Sequence, residues 1–140
     1  MRDAKDFDIG ALMTSNSAQL SSRPFGISAR EPAPDTSIVS IEGELDLSAA
    51  PRLKWMLVDL LESGRTRLVV DLSLASFMDS TALGVLLGVK RRLKGEERLA
   101  IVCARPNVLK IFEFAGVDGA FAIFPTLDGA LAYVQGPSSE

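Results

Sequence analysis

The sequence predicts an α/β domain built on a mixed, mostly parallel sheet of about five strands covered by helices. Two observations carry that reading. From Phe25 onward short apolar runs alternate with stretches whose apolar residues recur at helical spacing, and the run Leu68-Val69-Val70-Asp71-Leu72 is apolar on both faces, as a central parallel strand must be. The order that results, β-β-α-β-α-β-α-β-α, implies right-handed crossovers between parallel strands, with the first strand able to run antiparallel.

A possible edge strand spans Phe25 to Ala29, and a second strand Ser37 to Leu45. Leu53, Met56, Leu57, Leu60 and Leu61 then mark one face of a helix that Ser48 and Pro51 introduce and Gly64 stops. Trp55 and Val58 fall off that stripe, so both are expected at the surface, where a partner contact competes with the common case of single exposed apolar residues. After the third strand, Leu68–Leu72, a helix runs from Asp79 to about Leu93. Its Gly84 and Gly88, four apart, suggest tight helix-on-sheet packing or, second, a dimer seam. The fourth strand, Leu99 to Cys103, precedes a helix with Val108, Ile111, Phe112 and Ala115 on one stripe, ended by Gly116. A last strand at Phe121–Phe124 leads to a last helix carrying Leu127, Ala130, Leu131 and Val134. Residues 1–23 have little hydrophobic periodicity and read as a flexible tail, residues 24–135 as the domain, and residues 136–140 as a fraying end.

Composition limits the chemistry. At 140 residues and 47% hydrophobic, the chain is long enough for one core and too short to expect two. The longest apolar run, Ala82 to Val89, is far short of the ~20 residues of a membrane span, and no signal-peptide segment follows Met1, so a cytoplasmic protein without a membrane role is expected. The lone Cys103 sits in an apolar strand and reads as a small core residue rather than a reactive thiol. Histidine is absent, which removes triad catalysis and most zinc sites. A net charge of −3 argues against direct nucleic-acid binding. The local cluster Lys90, Arg91, Arg92 and Lys94 falls where a helix should end, so cations there complement the helix dipole, with an acidic partner as the second reading.

In a parallel sheet, the strand-to-helix turns meet at the carboxyl edge, so Asp46-Leu47-Ser48, Met78-Asp79-Ser80-Thr81 and Arg105-Pro106-Asn107 are expected on one rim. An enzyme using Asp46 and Asp79 as an acid/base pair or a Mg²⁺ site is conceivable, but neither phosphate-cradling loop nor nucleophile elbow is present. Asp79 before two hydroxyl residues reads first as a helix cap. The same geometry makes Ser80 an exposed hydroxyl at the positive end of a helix, where backbone amides could hold an added phosphate while Asp46 and Asp79 oppose it.

From about Phe25 to Val134 the chain resembles the STAS domain family, and within it the anti-sigma factor antagonists. The resemblance rests on Gly43-Glu44-Leu45-Asp46, on Leu68–Leu72, on Ser76-Phe77-Met78-Asp79-Ser80-Thr81-Ala82-Leu83 and on Val108-Leu109-Lys110-Ile111-Phe112-Glu113-Phe114-Ala115-Gly116. It implies that Ser80 is phosphorylated by an anti-sigma factor with serine kinase activity, that the unphosphorylated form binds that factor and frees a sigma factor, and that a serine phosphatase resets the switch. It also implies a substrate without catalysis of its own, with Asp46 and Asp79 as partner contacts; Ser48, Thr81 and Arg105 of the same rim complete the expected partner-binding set, no cofactor is expected, and a free monomer is the simplest expectation. Ala82 stands where many relatives have glycine. The alternative is a STAS ligand-binding or scaffold module of a signalling or transport complex.

Overall fold

The computed structural model describes residues 25–136. The expected tail at residues 1–23 and, apart from Gly136, the expected tail at residues 136–140 lie outside the described residues. The elements are β1 (Gly26–Ala33), β2 (Thr36–Leu45), α1 (Ala50–Glu62), β3 (Arg67–Met78), α2 (Ser80–Arg92), β4 (Arg98–Val102), α3 (Pro106–Phe114), a 3-10 turn (Asp118–Ala120), β5 (Ala122–Phe124) and α4 (Leu127–Gln135). One five-stranded sheet runs in chain order, β1 antiparallel to β2 and the other pairs parallel. The expected strand and helix order therefore holds, with the 3-10 turn added.

β2, β4 and the first part of β3 are buried on both faces, and their alternation sorts side chains into two cores. Val39, Ile41, Leu68, Val70, Leu99 and Ile101 face α1, α2 and α3 in the larger cluster. Ile38, Val69, Ala100 and Val102 face the other way, against Ala130 and Val134 of α4. Right-handed crossovers between strands laid down in chain order place successive helices on the same side, so only the helix after the last strand is left to cover the opposite face. Phe112 of α3 closes the larger core edge-to-face on Phe121, with ring centroids 5.4 Å apart. Cys103 is buried there as expected, and that burial raises its thiol pKa above the ordinary value. Arg67 donates to the Val134 and Gly136 carbonyls and Arg98 to that of Tyr133, so two cations of the sheet satisfy the open carbonyl end of α4.

Gly64 stops α1 with φ +96°, a conformation side chains disfavour, and its N–H bonds the Leu61 carbonyl while Arg65 N–H bonds that of Leu60. The same pair of bonds, to Glu113 and Phe112, ends α3 at Gly116 and Val117. Both stops lie where the sequence places them. No helix of the described residues is long and apolar enough to cross a membrane.

Three expectations are corrected. The third strand does not end at Leu72 but continues to Met78. Register shifts between Ser40 and Glu42 and between Gly43 and Glu44 each set an extra β3 residue against β2, so that Leu72, Ala75 and Met78, three apart, all enter the larger core. Gly43 lies at the second shift with φ +83°, which a side chain would resist. Second, Trp55 is 58% exposed as expected, but Val58 is only 6% exposed, because α1 packs against α2 as well as against the sheet. Third, Gly84 and Gly88 do not pack on the sheet. Ala82, Leu83, Leu86 and Val89 do that, while both glycines are exposed and a Cβ added to either meets nothing within 4 Å.

Ser37 is fully buried, and its hydroxyl has no hydrogen-bond partner among the described residues. A buried unpaired hydroxyl opposes folding, so Ser37→Ala should leave stability unchanged or raise it by about 1 kcal/mol. Urea unfolding midpoints check this; a clear loss of stability contradicts it.

Candidate functional site

The site begins with strand length. β2 and β3 run parallel and end paired at Leu45 and Met78, and the Asp79 N–H continues the ladder to the Leu45 carbonyl at 3.3 Å. The next residues, Asp46 and Asp79, therefore leave the sheet from neighbouring strand ends, about 4.8 Å apart in the pairing direction. Each carboxylate starts a helix.

Asp79 is the N-cap of α2 in extended conformation, and its Oδ1 accepts from Thr81 N at 3.0 Å and Ala82 N at 3.1 Å. Ser80 is the first helical residue, and it and Thr81 are exposed. Asp46 works similarly one strand away. Its Oδ1 accepts from Ser48 N at 3.1 Å, Ser48 Oγ at 2.9 Å and Ala49 N at 3.2 Å, while its carbonyl accepts from the Ala49 and Ala50 amides. Ser48 is thus not the residue that caps α1, as its place in the sequence suggested. Ala49 occupies the N-cap position without a side-chain bond, Pro51 sits in the first turn, and Asp46 supplies the carboxylate. The Ser48 hydroxyl above all lowers the Asp46 pKa below its ordinary 3.8; burial opposes it, and the Ala49 and Ser48 amides add smaller lowering effects.

Arg105 belongs to the turn after β4, on the other side of β3. Pairing of β3 with β4 stops at Asp71 and Val102, so the last part of β3 has a free edge there. Arg105 Nε donates to the Ser73 carbonyl at 3.2 Å and Asn107 Nδ2 to the Ser76 carbonyl at 2.9 Å, which closes that edge with side chains. The rim therefore gathers Asp46, Ser48, Asp79, Ser80 and Thr81, with Arg105 engaged one strand over.

Sequence reasoning passed over the apolar fringe of this rim. Leu47 is 68% exposed beside Asp46, and Leu74 and Phe77 of the extended β3 are 54% and 45% exposed. Phe77 was readable only once the register shifts are known, since they set it out of phase with Leu72, Ala75 and Met78. Among the described residues no group of three His, Cys, Asp or Glu side chains converges on a possible metal position. The rim is an acidic, hydroxyl-bearing surface edged by apolar side chains.

Two outcomes test the caps. Asp79→Ala removes both bonds to the α2 amides and should lower stability by about 1 kcal/mol in urea unfolding. Asp46 has a depressed pKa in the folded state, so its contribution is present above 3.8 and is lost as pH falls through the lower folded value. The stability difference between wild type and Asp46→Asn should therefore shrink between about pH 7 and about pH 3. A difference that stays constant contradicts the assignment.

The STAS domain family model matches residues 29–130. The chain is 29% identical over 100 residues to the anti-sigma-F factor antagonist RsfB of Mycobacterium tuberculosis, covering 71% of this chain and 82% of that protein. Its fold superposes on the crystal structure of an anti-sigma factor antagonist from Mycobacterium paratuberculosis with TM-score 0.74 and 28% identity, over 80% of this chain and 95% of that one. The unphosphorylated form of the anti-sigma factor antagonist SpoIIAA gives TM-score 0.70 and 26% identity, over 80% and 98% of the two chains. The chain belongs to the STAS domain family.

Proposed function

We propose that this protein is a cytoplasmic anti-sigma factor antagonist whose unphosphorylated form binds an anti-sigma factor with serine kinase activity and so releases a sigma factor. Phosphorylation of Ser80 by that partner ends the binding, and a serine phosphatase restores it. The free protein is a monomer in this reading. Asp46, Ser48, Asp79 and Thr81 form the partner-binding rim around Ser80, and Arg105 contributes from its neighbouring turn.

One observation carries the reading. The bonds that start α2 are made by Asp79, so the exposed Ser80 at the first helical position can be modified without removing any of them. A phosphate adds about −1.5 to −2 charges at that point. It would stand beside Asp46, held ionised by Ser48, and Asp79, so the rim gains charge where it already has carboxylates. Against an acidic or desolvated partner surface that change can cost several kcal/mol, and about 2.8 kcal/mol is already a hundredfold in affinity. Ala82 keeps the helix start narrow while favouring helix more than a glycine would. The likeness to named anti-sigma factor antagonists supports the partner class.

Affinity capture from host lysate with wild type and Ser80→Asp side by side, with mass spectrometry, tests both halves. A small ATP-binding kinase retained by wild type and lost by Ser80→Asp is the expected result, with the same kinase phosphorylating Ser80 of the purified wild type. Equal retention by both baits would return Ser80 to an ordinary helix start and favour the ligand-binding or scaffold role.

A further inference from the structure

Where α1 and α2 lie side by side, their outer surface forms a groove of about 350 Å³. Val58, Val85 and Val89 give it an apolar floor, and Gly84 and Gly88 leave helix backbone open, since a Cβ on either meets nothing within 4 Å. Lys54 stands on the α1 wall and Arg92 on the α2 wall. Trp55 shares the Val58 side of α1, three residues earlier, and is 58% exposed, with Lys54 Nζ 5.4 Å from its ring centroid. Such a surface suits a short segment that combines apolar side chains with carboxylates.

The chain itself carries one. Asp6-Phe7-Asp8-Ile9-Gly10-Ala11-Leu12-Met13 lies before the described residues and before the family match. The described chain starts against α1, the helix that forms one wall of the groove, because the Arg52 guanidinium of α1 lies 5.2 Å from the Phe25 ring centroid. Residues 14–24 separate Met13 from Phe25 and reach about 35–40 Å when extended, against a length of about 20 Å for α1.

We infer that residues 6–13 dock in the α1–α2 groove of their own chain. Phe7, Ile9 and Leu12 cover the valine floor and the two glycines, and Asp6 and Asp8 face Lys54 and Arg92. The Arg92 pair with Glu62, at 3.5 Å between exposed side chains, is of a kind worth little and exchanges readily. A run without helical period gains little by folding alone, but attachment to the same chain supplies it at about millimolar effective concentration, so millimolar intrinsic affinity docks about half of the molecules. A second copy or a separate protein would need far tighter contacts at ordinary concentrations, which favours the chain's own segment. The inference is independent of which partner binds the rim.

Full-length wild type is compared with Phe7→Ser/Ile9→Ser/Leu12→Ser and with Gly84→Leu, which fills the groove at an exposed position where leucine favours helix. The triple variant should shift the Gly84, Val85 and Gly88 amide resonances at every protein concentration. Acrylamide quenching of Trp55, the single tryptophan, should rise by up to about twofold as the docked half is released. Gly84→Leu should move the Phe7 and Ile9 amides to the positions they hold without the groove. Groove amides and quenching unchanged in the triple variant would overturn the inference, and so would shifts that vanish on dilution, since a second copy would then be the occupant.

Discussion

The structure depends on one alignment: two parallel strands, β2 and β3, that end in register at Leu45 and Met78 and are tied one step further by the Asp79 N–H on the Leu45 carbonyl. Everything at the carboxyl edge follows from it. Asp46 and Asp79 emerge side by side, α1 and α2 start from adjacent points, and the two helices must then descend the same face in contact. The two register shifts in β3 make this possible, because they bring Leu72, Ala75 and Met78 onto the helix-covered face although their spacing is odd. In an unshifted strand, residues three apart point to opposite faces, and Ala75 would leave the core that holds Leu72 and Met78.

The two aspartate turns look alike in sequence and differ in what they do with their serines. A capping carboxylate receives the amides two and three residues ahead, so a serine two positions on, as in Asp46-Leu47-Ser48, is drawn into the turn and donates its hydroxyl to the carboxylate. A serine one position on, as in Asp79-Ser80, falls outside those bonds; Thr81 takes the second position through its amide. The spacing alone separates a hydroxyl that steadies a turn and lowers the Asp46 pKa from one that is exposed at a helix start. Charge added at Ser80 therefore acts on a surface, while charge or bulk added at Ser48 would act on the fold.

Much of this was legible in the sequence. Helical stripes at Leu53–Leu61 and Val108–Phe112, the glycine stops at Gly64 and Gly116 and the Asp79 cap all depend on residues close in the chain, and all stand where local rules put them, whereas Ala115, expected on the second stripe, is the exposed C-cap residue. What was not legible depended on neighbours distant in sequence. Val58 reads as an outward residue on an isolated helix and is buried only because α2 lies against it. Gly84 and Gly88 invite a close-packing reading, but packing on the sheet is satisfied by Ala82, Leu83, Leu86 and Val89, and the glycines face out. The extension of β3 past Ser73 breaks the two-residue period through its register shifts, and Arg105 is drawn to a free strand edge that exists only because β4 is shorter than β3. Ser48 was placed at a helix start by its composition, whereas the carboxylate two residues earlier had the reach.

The rim and the α1–α2 groove are not separate surfaces. Thr81, one residue from Ser80, lines the groove as well as the rim, so an occupant of one would border the other. Coupling between two such ligands is reciprocal: a segment in the groove that weakens binding at the rim is itself displaced by the rim ligand to the same degree. The magnitudes assign different tasks. A tethered segment docked about half of the time would lower an apparent affinity by about twofold if only the undocked fraction were competent. A phosphate on Ser80, as proposed, would act through several kcal/mol and change affinity by about a hundredfold or more. On the proposed reading the groove would therefore adjust the threshold at which a partner is held, whereas only the charge at Ser80 would be large enough to switch it.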